Sequence, residues 1–350
     1  MQEAFLVRAN NLKGCKMAIK YNDEQKQQNN KSFHNNHIAH ILQNYDIDLA
    51  FKYQNPDKLR GISTGLTALD AKLDGLCPGD VVLIGGRPAM GKTSLAINMA
   101  RNIATDFSAQ YQQNPDDNKC VVYIGLEYYS KKFAERLVGM EASIPVYQMQ
   151  GSYIRENYDR IVTTEYALEK LPLYYYDNIY NIDDIADELQ NIRREHQIGA
   201  LFIDYLQLIT PSLDGPCDDV MCQIKELAVR FEIPIIVLAQ LNRNLESRAD
   251  KRPMLCDIRG FKSRPPAFAN KVLLIYRDSY YLINNEPHPR RNESSEKFEK
   301  RHSVWEKQYK ESKYLCEIIV AQNSDGYSGI VRVSFDPSTG VFENLHDEYD

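Results

Sequence analysis

Hydrophobic and polar residues follow two rhythms along this chain, and the change falls near residue 61. Upstream, residues 1–20 form a mild apolar and basic stretch, and residues 21–36 are rich in Asn, Gln and Lys and read as a flexible arm. Ile38, Ile41 and Leu42, then Ile47, Leu49, Ala50 and Phe51, predict a short amphipathic segment near 37–54. It lies outside the main domain, where a small apolar face usually docks on something, such as a neighbouring subunit. From residue 61, continuous apolar runs alternate with helical stretches: Val81–Ile84, Cys120–Ile124, Leu173–Tyr176, Ala200–Ile203, Ile235–Leu238 and Val272–Tyr276. Runs of four to six apolar residues with helices between them are strands buried on both faces, so the pattern predicts an α/β fold with a mostly parallel, twisted sheet covered by helices on both faces. Leu315–Val320 and Gly329–Phe335 flank a Gly-containing turn and read as a C-terminal hairpin. The expected organisation is therefore an N-terminal arm over 1–58 and one large domain over 59–350.

Two segments are ambiguous. Residues 286–313 are highly charged and read as a solvated insertion, although Phe298, Trp305 and Tyr309, at +7 and +4, fit a helix lying on the domain. His34, His37 and His40 recur every third residue, the spacing of ligands on one helical face; solvated histidines on a short helix are the plainer reading.

Composition narrows the function. The 350 residues are 43% apolar and 26% charged, and the net charge is −6. Such a protein is not a general polyanion binder, and any nucleic-acid contact needs a local basic patch. No apolar run approaches the roughly 18 residues of a membrane span, and no secretory signal precedes the domain, so a cytoplasmic protein without a membrane partner is expected. The seven cysteines are scattered and form no CxxC, which favours reduced thiols over a disulfide framework or a zinc site.

The sharpest chemical signal is Gly86-Arg87-Pro88-Ala89-Met90-Gly91-Lys92-Thr93, followed by Ser94. It fits G-x-x-x-x-G-K-[ST], which arises by chance in a chain this long on the order of one time in a hundred. It sits between an apolar strand and a segment with helical spacing. Glycines let successive N–H groups converge on one anion, and the helix terminus adds its dipole. Lys92 can reach the β and γ phosphates of ATP, and Thr93 can ligate Mg²⁺. Two further strands end in acids: Asp204 is placed to hold Mg²⁺ through water, and Glu127 to polarise an attacking water. Gln240, at the end of another strand, can sense the γ-phosphate or couple it to a neighbouring loop.

Taken in order, Gly61-Ile62-Ser63-Thr64-Gly65, Arg87-Pro88-Ala89-Met90-Gly91-Lys92-Thr93, Asp204-Tyr205-Leu206-Gln207-Leu208, Gln240-Leu241-Asn242-Arg243, Arg248-Ala249-Asp250-Lys251-Arg252-Pro253 and Tyr276-Arg277-Asp278 resemble the motor domain of DnaB-type replicative DNA helicases. The resemblance spans about 59–347 and distinguishes the chain from RecA-like ATPases of other branches. It implies a RecA-like P-loop NTPase fold, a hexameric ring with ATP between subunits, single-stranded DNA in the channel, and primase or a loader as possible partners. It makes Lys92 and Thr93 the phosphate-loop residues, Glu127 the catalytic acid, Asp204 the metal-holding acid and Gln240 the sensor. The stretch around Arg259 would line the DNA channel, with Lys262, Arg264 and Arg243 nearby. Residues 241–264 carry seven Lys or Arg against three acids, the local surplus a phosphate-tracking loop needs.

Three departures from the family pattern stand out. The family carries a larger N-terminal collar than the stretch before residue 59. Its last hairpin bears a Lys-x-Arg pair that reaches the adjacent subunit's ATP; those positions here hold Gln322 and Ser324, with Asp325 adding negative charge, while Lys313, Arg332 and Arg277 are the nearby cations able to substitute. The channel loop has Gly260 after Arg259 where the family has an acid, and a Pro265-Pro266 pair. The reading is an ATP-dependent helicase; the alternative is a hydrolysis-deficient ATP-binding subunit that joins a mixed ring with a full-length DnaB-type helicase.

Overall fold

The computed structural model describes residues 38–213, 219–260 and 268–345. The chain divides into two compact units, 1–58 and 59–350. The described part of the first contains helix α1 (Ile38–Gln54), on which Ile38, Leu42, Tyr45, Ile47 and Leu49 are exposed. His34 and His37, and the side chain of His40, lie outside the described residues.

The second unit runs α2 (Thr67–Leu73), β1 (Val81–Gly86), α3 (Lys92–Gln113), β2 (Lys119–Gly125), α4 (Ser130–Glu141), α5 (Tyr153–Leu168), β3 (Leu173–Tyr176), α6 (Ile182–Ile192), β4 (Gln197–Asp204), α7 (Val220–Phe231), β5 (Ile235–Gln240), β6 (Lys271–Tyr276), α8 (Asp278–Asn284), α9 (Ser295–Ser312), β7 (Leu315–Asn323), β8 (Gly329–Asp336) and β9 (Val341–Glu343). One sheet has the order β3-β2-β4-β5-β1-β6-β7-β8-β9. From β3 to β6 all pairings are parallel; from β6 to β9 they are antiparallel.

The continuous apolar runs form strands because both faces are covered. Within β1, Val82 and Ile84 join one core with Leu95, Met99, Ile103 and Phe107 of α3, while Val81 and Leu83 join a second with Ile185 and Leu189 of α6 and Ile224 and Leu227 of α7. Alternate side chains thus go to opposite layers. Local capping starts the helices of the second layer: Asn181 accepts from Asp183 N at 2.7 Å, and Asp219 from Met221 N at 2.8 Å.

The structure changes three expectations. The hairpin gains a third antiparallel strand, β9, whose three residues are too few for a periodic signal; buried Asn98 of α3 receives Phe342 N and donates to Gly340 O. Much of the charged insertion is helical: in α9, Trp305 and Tyr309 stack at 5.5 Å, and Trp305 Nε1 donates to Leu282 O at the end of α8. The aromatic stripe therefore decides the local structure while the charges remain solvated. Cys77, Cys120, Cys256 and Cys316 are free thiols, but Cys222 is disulfide-bonded.

Candidate nucleotide site

Parallel pairing brings the carboxyl ends of β1, β2, β4 and β5 to one edge of the sheet, where ligands of open α/β folds bind. β1 delivers Gly86, and the chain turns through Ala89 (φ 62°) and Gly91 (φ 100°) into α3. A Cβ on Gly86 would lie 2.9 Å from Lys92 Cγ, so the absent side chain lets the lysine fold back over the loop. A Cβ on Gly91 would approach Phe335 and Phe342 at 3.1 and 3.2 Å; the antiparallel strands back the loop from behind.

The loop residues divide their work. Met90 is buried in the core, and Pro88 offers no N–H, so Met90 contributes only its backbone. Arg87 turns away, donating to Glu246 at 2.9 Å and to Leu241 O at 3.0 Å, which ties the loop to the segment after β5. Lys92 Nζ rests 3.4 Å from Arg87 O. Burial lowers the Lys92 pKa, opposed by the charges of Asp204 and Glu127. Ser94 lies in the first turn of α3, against Gly340.

Asp204 ends β4 with 2% exposure. Burial pushes its carboxyl up to about 6, with the Glu127 charge adding to the rise; hydrogen bonds from Thr93 and Tyr123 and the charge of Lys92 pull it down. Tyr123 Oη donates to Asp204 Oδ2 at 3.2 Å. Glu127 lies exposed just beyond β2, close enough to influence the ionisation of both Lys92 and Asp204. A hydroxyl and a carboxylate beside a phosphate-seeking lysine are hard oxygen donors of the kind Mg²⁺ takes when phosphates and water complete its shell. The residues present therefore fit Mg²⁺, which Thr93 and Asp204 would hold.

Gln240, at the end of β5, is joined to the basic loop. Its carbonyl accepts from Arg259 N at 2.9 Å, and its Oε1 lies 3.4 Å from Arg259 Nη1. Gln207 completes a ring, donating to Arg259 O and accepting from Gln240 N. Gln207 lies in the Asp204–Leu208 motif that carries the resemblance, but nothing in the sequence gave it a role of its own; the fold brings it here.

The basic surplus over 241–264 is smaller in space than in sequence. Arg248 is bidentate to Asp257 at 2.7 and 3.2 Å, Arg252 pairs with Glu317, and Lys251 donates to the carbonyls of Glu246 and Arg248. Arg243 and Arg259 are exposed. Lys262 and Arg264 lie outside the described residues.

At the hairpin, Gln322 donates to Ala269 O at 2.7 Å and Ser324 Oγ to Asn270 O at 2.9 Å. Asp325 lies 3.3 Å from Nζ of Lys271, a fully buried lysine that also pairs with Asp80. The expected loose negative charge at Asp325 is thus neutralised within the chain. Among the substitute cations, Arg277 is buried under the chain's own phosphate loop, donating to Ala89 O at 3.1 Å with its guanidinium 4.6 Å from the Phe335 ring centre. Arg332 lies 3.9 Å from Glu317, and Lys313 sits over the Tyr314 ring.

A phosphate loop running from a buried parallel strand into a helix, with one acid closing β4 and another just beyond the neighbouring β2, defines a P-loop nucleotide-binding domain of the RecA-like class. Within that class the chain belongs to the DnaB-like helicase C terminal domain family, which matches residues 61–344. It is 34% identical over 303 residues to the "Replicative DNA helicase DnaB" of Rickettsia bellii (strain RML369-C), covering 85% of this chain and 60% of that relative. It is 29% identical over 318 residues to the "Replicative DNA helicase DnaB" of Geobacillus stearothermophilus, covering 89% of this chain and 62% of that relative. The chain thus spans about three fifths of the length of the curated relatives it matches. Its fold is similar to a structure titled "The Structure Of A DnaB-Like Replicative Helicase And Its Interactions With Primase" (TM-score 0.68, 23% identity, 98% of this chain and 75% of that one).

Proposed function

We propose that the chain is the motor of an ATP-dependent replicative DNA helicase, binding ATP with Mg²⁺ and moving along single-stranded DNA as a subunit of a hexameric ring. The observation that carries this is the convergence of Lys92, Thr93, Asp204 and Glu127 at the carboxyl edge of the sheet in a member of this family. In this reading Lys92 and the N–H groups of the loop through Ser94 bind the phosphates. Thr93 and Asp204 would hold the metal, whose charge would offset that of the phosphates. Glu127 orients a water toward the γ-phosphorus and takes its proton, a role its exposed position suits. Gln240 carries the state of the γ-phosphate to Arg259 through the bonds that join them, and Arg259, Arg243, Lys262 and Arg264 follow the DNA backbone. The exposed apolar residues of α1, and Ile154, Tyr158, Val162 and Tyr166 on α5, are candidates for contact between copies. Cytoplasmic location and contact with primase or a loader belong to the same proposal; no helix among the described residues is long and apolar enough to cross a membrane.

A second reading follows from the hairpin. Gln322 and Ser324 are neutral and turned onto the chain's own carbonyls, so a ring of identical copies would lack the cations that complete the neighbour's site. In this reading the chain binds ATP and relies on a full-length DnaB-type helicase in a mixed ring. Steady-state ATP hydrolysis with and without single-stranded DNA, alone and with such a partner, separates the two. DNA-stimulated turnover by the chain alone supports the first. Nucleotide binding with turnover only beside the partner supports the second. No nucleotide binding would sink both.

A further inference from the structure

The mechanism above leaves a buried phenol, Tyr123, and its partly buried neighbour Tyr175 unused. In the register of β2 with β4, Gly125 lies opposite Asp204, and Tyr123 opposite Phe202. Side chains two apart on a strand share a face, so Tyr123 is the diagonal neighbour of Asp204. Because Gly125 has no side chain, the space over Asp204 stays open to a long residue one step back. Tyr123 fills it. Its ring is 1% exposed and stacks on Phe202 (5.6 Å, 6° between planes), with Phe133 at 5.0 Å and Tyr175 at 5.8 Å. A ring held on three sides has one place to put its hydroxyl, and that place is 3.2 Å from Asp204 Oδ2. Tyr175, opposite Tyr123 on β3, reaches into the same gap: a Cβ on Gly125 would lie 2.3 Å from its Oη. That hydroxyl is 2.5 Å from Tyr128 O and 3.1 Å from Gly125 O, and its single hydrogen serves one of them at a time.

Resting on the nucleotide-binding reading above, we propose that Tyr123 is a positioning residue for the metal-holding carboxylate: its phenol fixes the rotation of Asp204 so that the group meets a Thr93-bound Mg²⁺ ready-made. A carboxylate on Cβ turns over a broad torsional minimum. Two hydroxyl donors, Thr93 and Tyr123, restrict that rotation before any metal arrives. Outer partners of this kind typically set metal affinity within a factor of about 10–100.

The test is Tyr123→Phe in the full chain, which keeps the ring in its box and removes one oxygen. A fluorescent ATP analogue is titrated with the metal chelated and then across a Mg²⁺ series, and thermal unfolding is recorded beside it. Tyr176→Phe, which removes the phenol that donates to Glu188 at 2.8 Å, serves as the control for loss of a tyrosine hydroxyl elsewhere in the sheet. The half-saturating Mg²⁺ concentration should rise about tenfold in Tyr123→Phe. Metal-free nucleotide affinity should stay the same, and Tyr176→Phe should behave as the wild type. An unchanged Mg²⁺ midpoint, or an equal loss of metal-free binding, overturns the assignment while leaving the nucleotide site standing. A wild-type chain that binds no nucleotide overturns the assignment together with the function it rests on.

Discussion

The parallel half of the sheet and its antiparallel extension treat charge in opposite ways. At the carboxyl edge of the parallel strands, Lys92, Asp204 and Glu127 meet across an open site, and the partly buried lysine and the buried Asp204 are held away from their ordinary ionisation. Where β6 joins the antiparallel strands, Lys271, Asp325 and Asp80, which precedes β1, form a closed set, and Gln322 and Ser324 donate to main-chain carbonyls. The first arrangement stores unsatisfied charge that a polyanion and its metal would relieve. The second pairs these groups within the chain. A hairpin can therefore keep its frame while its chemistry turns inward, because strand pairing depends on backbone bonds and on alternate buried side chains, not on the residues at its tip.

Restoring cations is the strongest challenge to that contrast. Gln322→Lys with Ser324→Arg should raise ATP turnover by on the order of 10³-fold if neutral tips limit hydrolysis, since a trans arginine has that leverage in related phosphoryl transfers. Steady-state phosphate release measures it, and an unchanged rate would assign the role to another cation.

Lys271→Met strikes the closed set itself. It leaves the buried Asp80 carboxylate with the Cys77 N–H but no cation, and should cost about 3 kcal/mol. Chemical denaturation would detect the loss; a change below about 1 kcal/mol would show that the cluster holds little. Lys92→Ala addresses the open site in turn. It should weaken nucleotide binding by on the order of 100-fold, since a charge-assisted bond to phosphate disappears, and leave the unfolding temperature of the nucleotide-free chain within a few degrees.

The smallest effect is a pH dependence. Asp204 titrates at about 6 in the fold and ordinarily at 3.8, so between those values the folded chain holds a proton that the unfolded chain has released. Stability from this site is greatest at the acid end, declines as pH rises through that window, and is level above it. Asp204→Asn removes the slope. Relative to the variant, the nucleotide-free wild type should lose about 2–4 °C in Tm between pH 4.5 and 7, and parallel curves would rule out the raised carboxyl.

Much of this architecture was legible in one dimension. Unbroken apolar runs demanded strands covered on both faces, so the parallel sheet, the phosphate loop after Val81–Ile84 and the acids at Asp204 and Glu127 could be read from periodicity and strand ends. Glycine spacing at 86 and 91 marked the loop because only such backbones curl around an anion.

What the chain order could not decide was which charges remain free and which buried polar groups work. Counting Lys and Arg over 241–264 overstated the basic surface, because Arg248 pairs with Asp257 of the same stretch, Arg252 with distant Glu317, and Lys251 donates to carbonyls. Asp325 read as loose negative charge until β6 brought Lys271 beneath it. Tyr123 passed as one more apolar member of Cys120–Ile124; only the register that sets Gly125 against Asp204 turns its hydroxyl into a donor. Periodicity reports which face a residue takes. Pairing between elements far apart in the chain, settled by strand register and by burial, determines what that residue touches there.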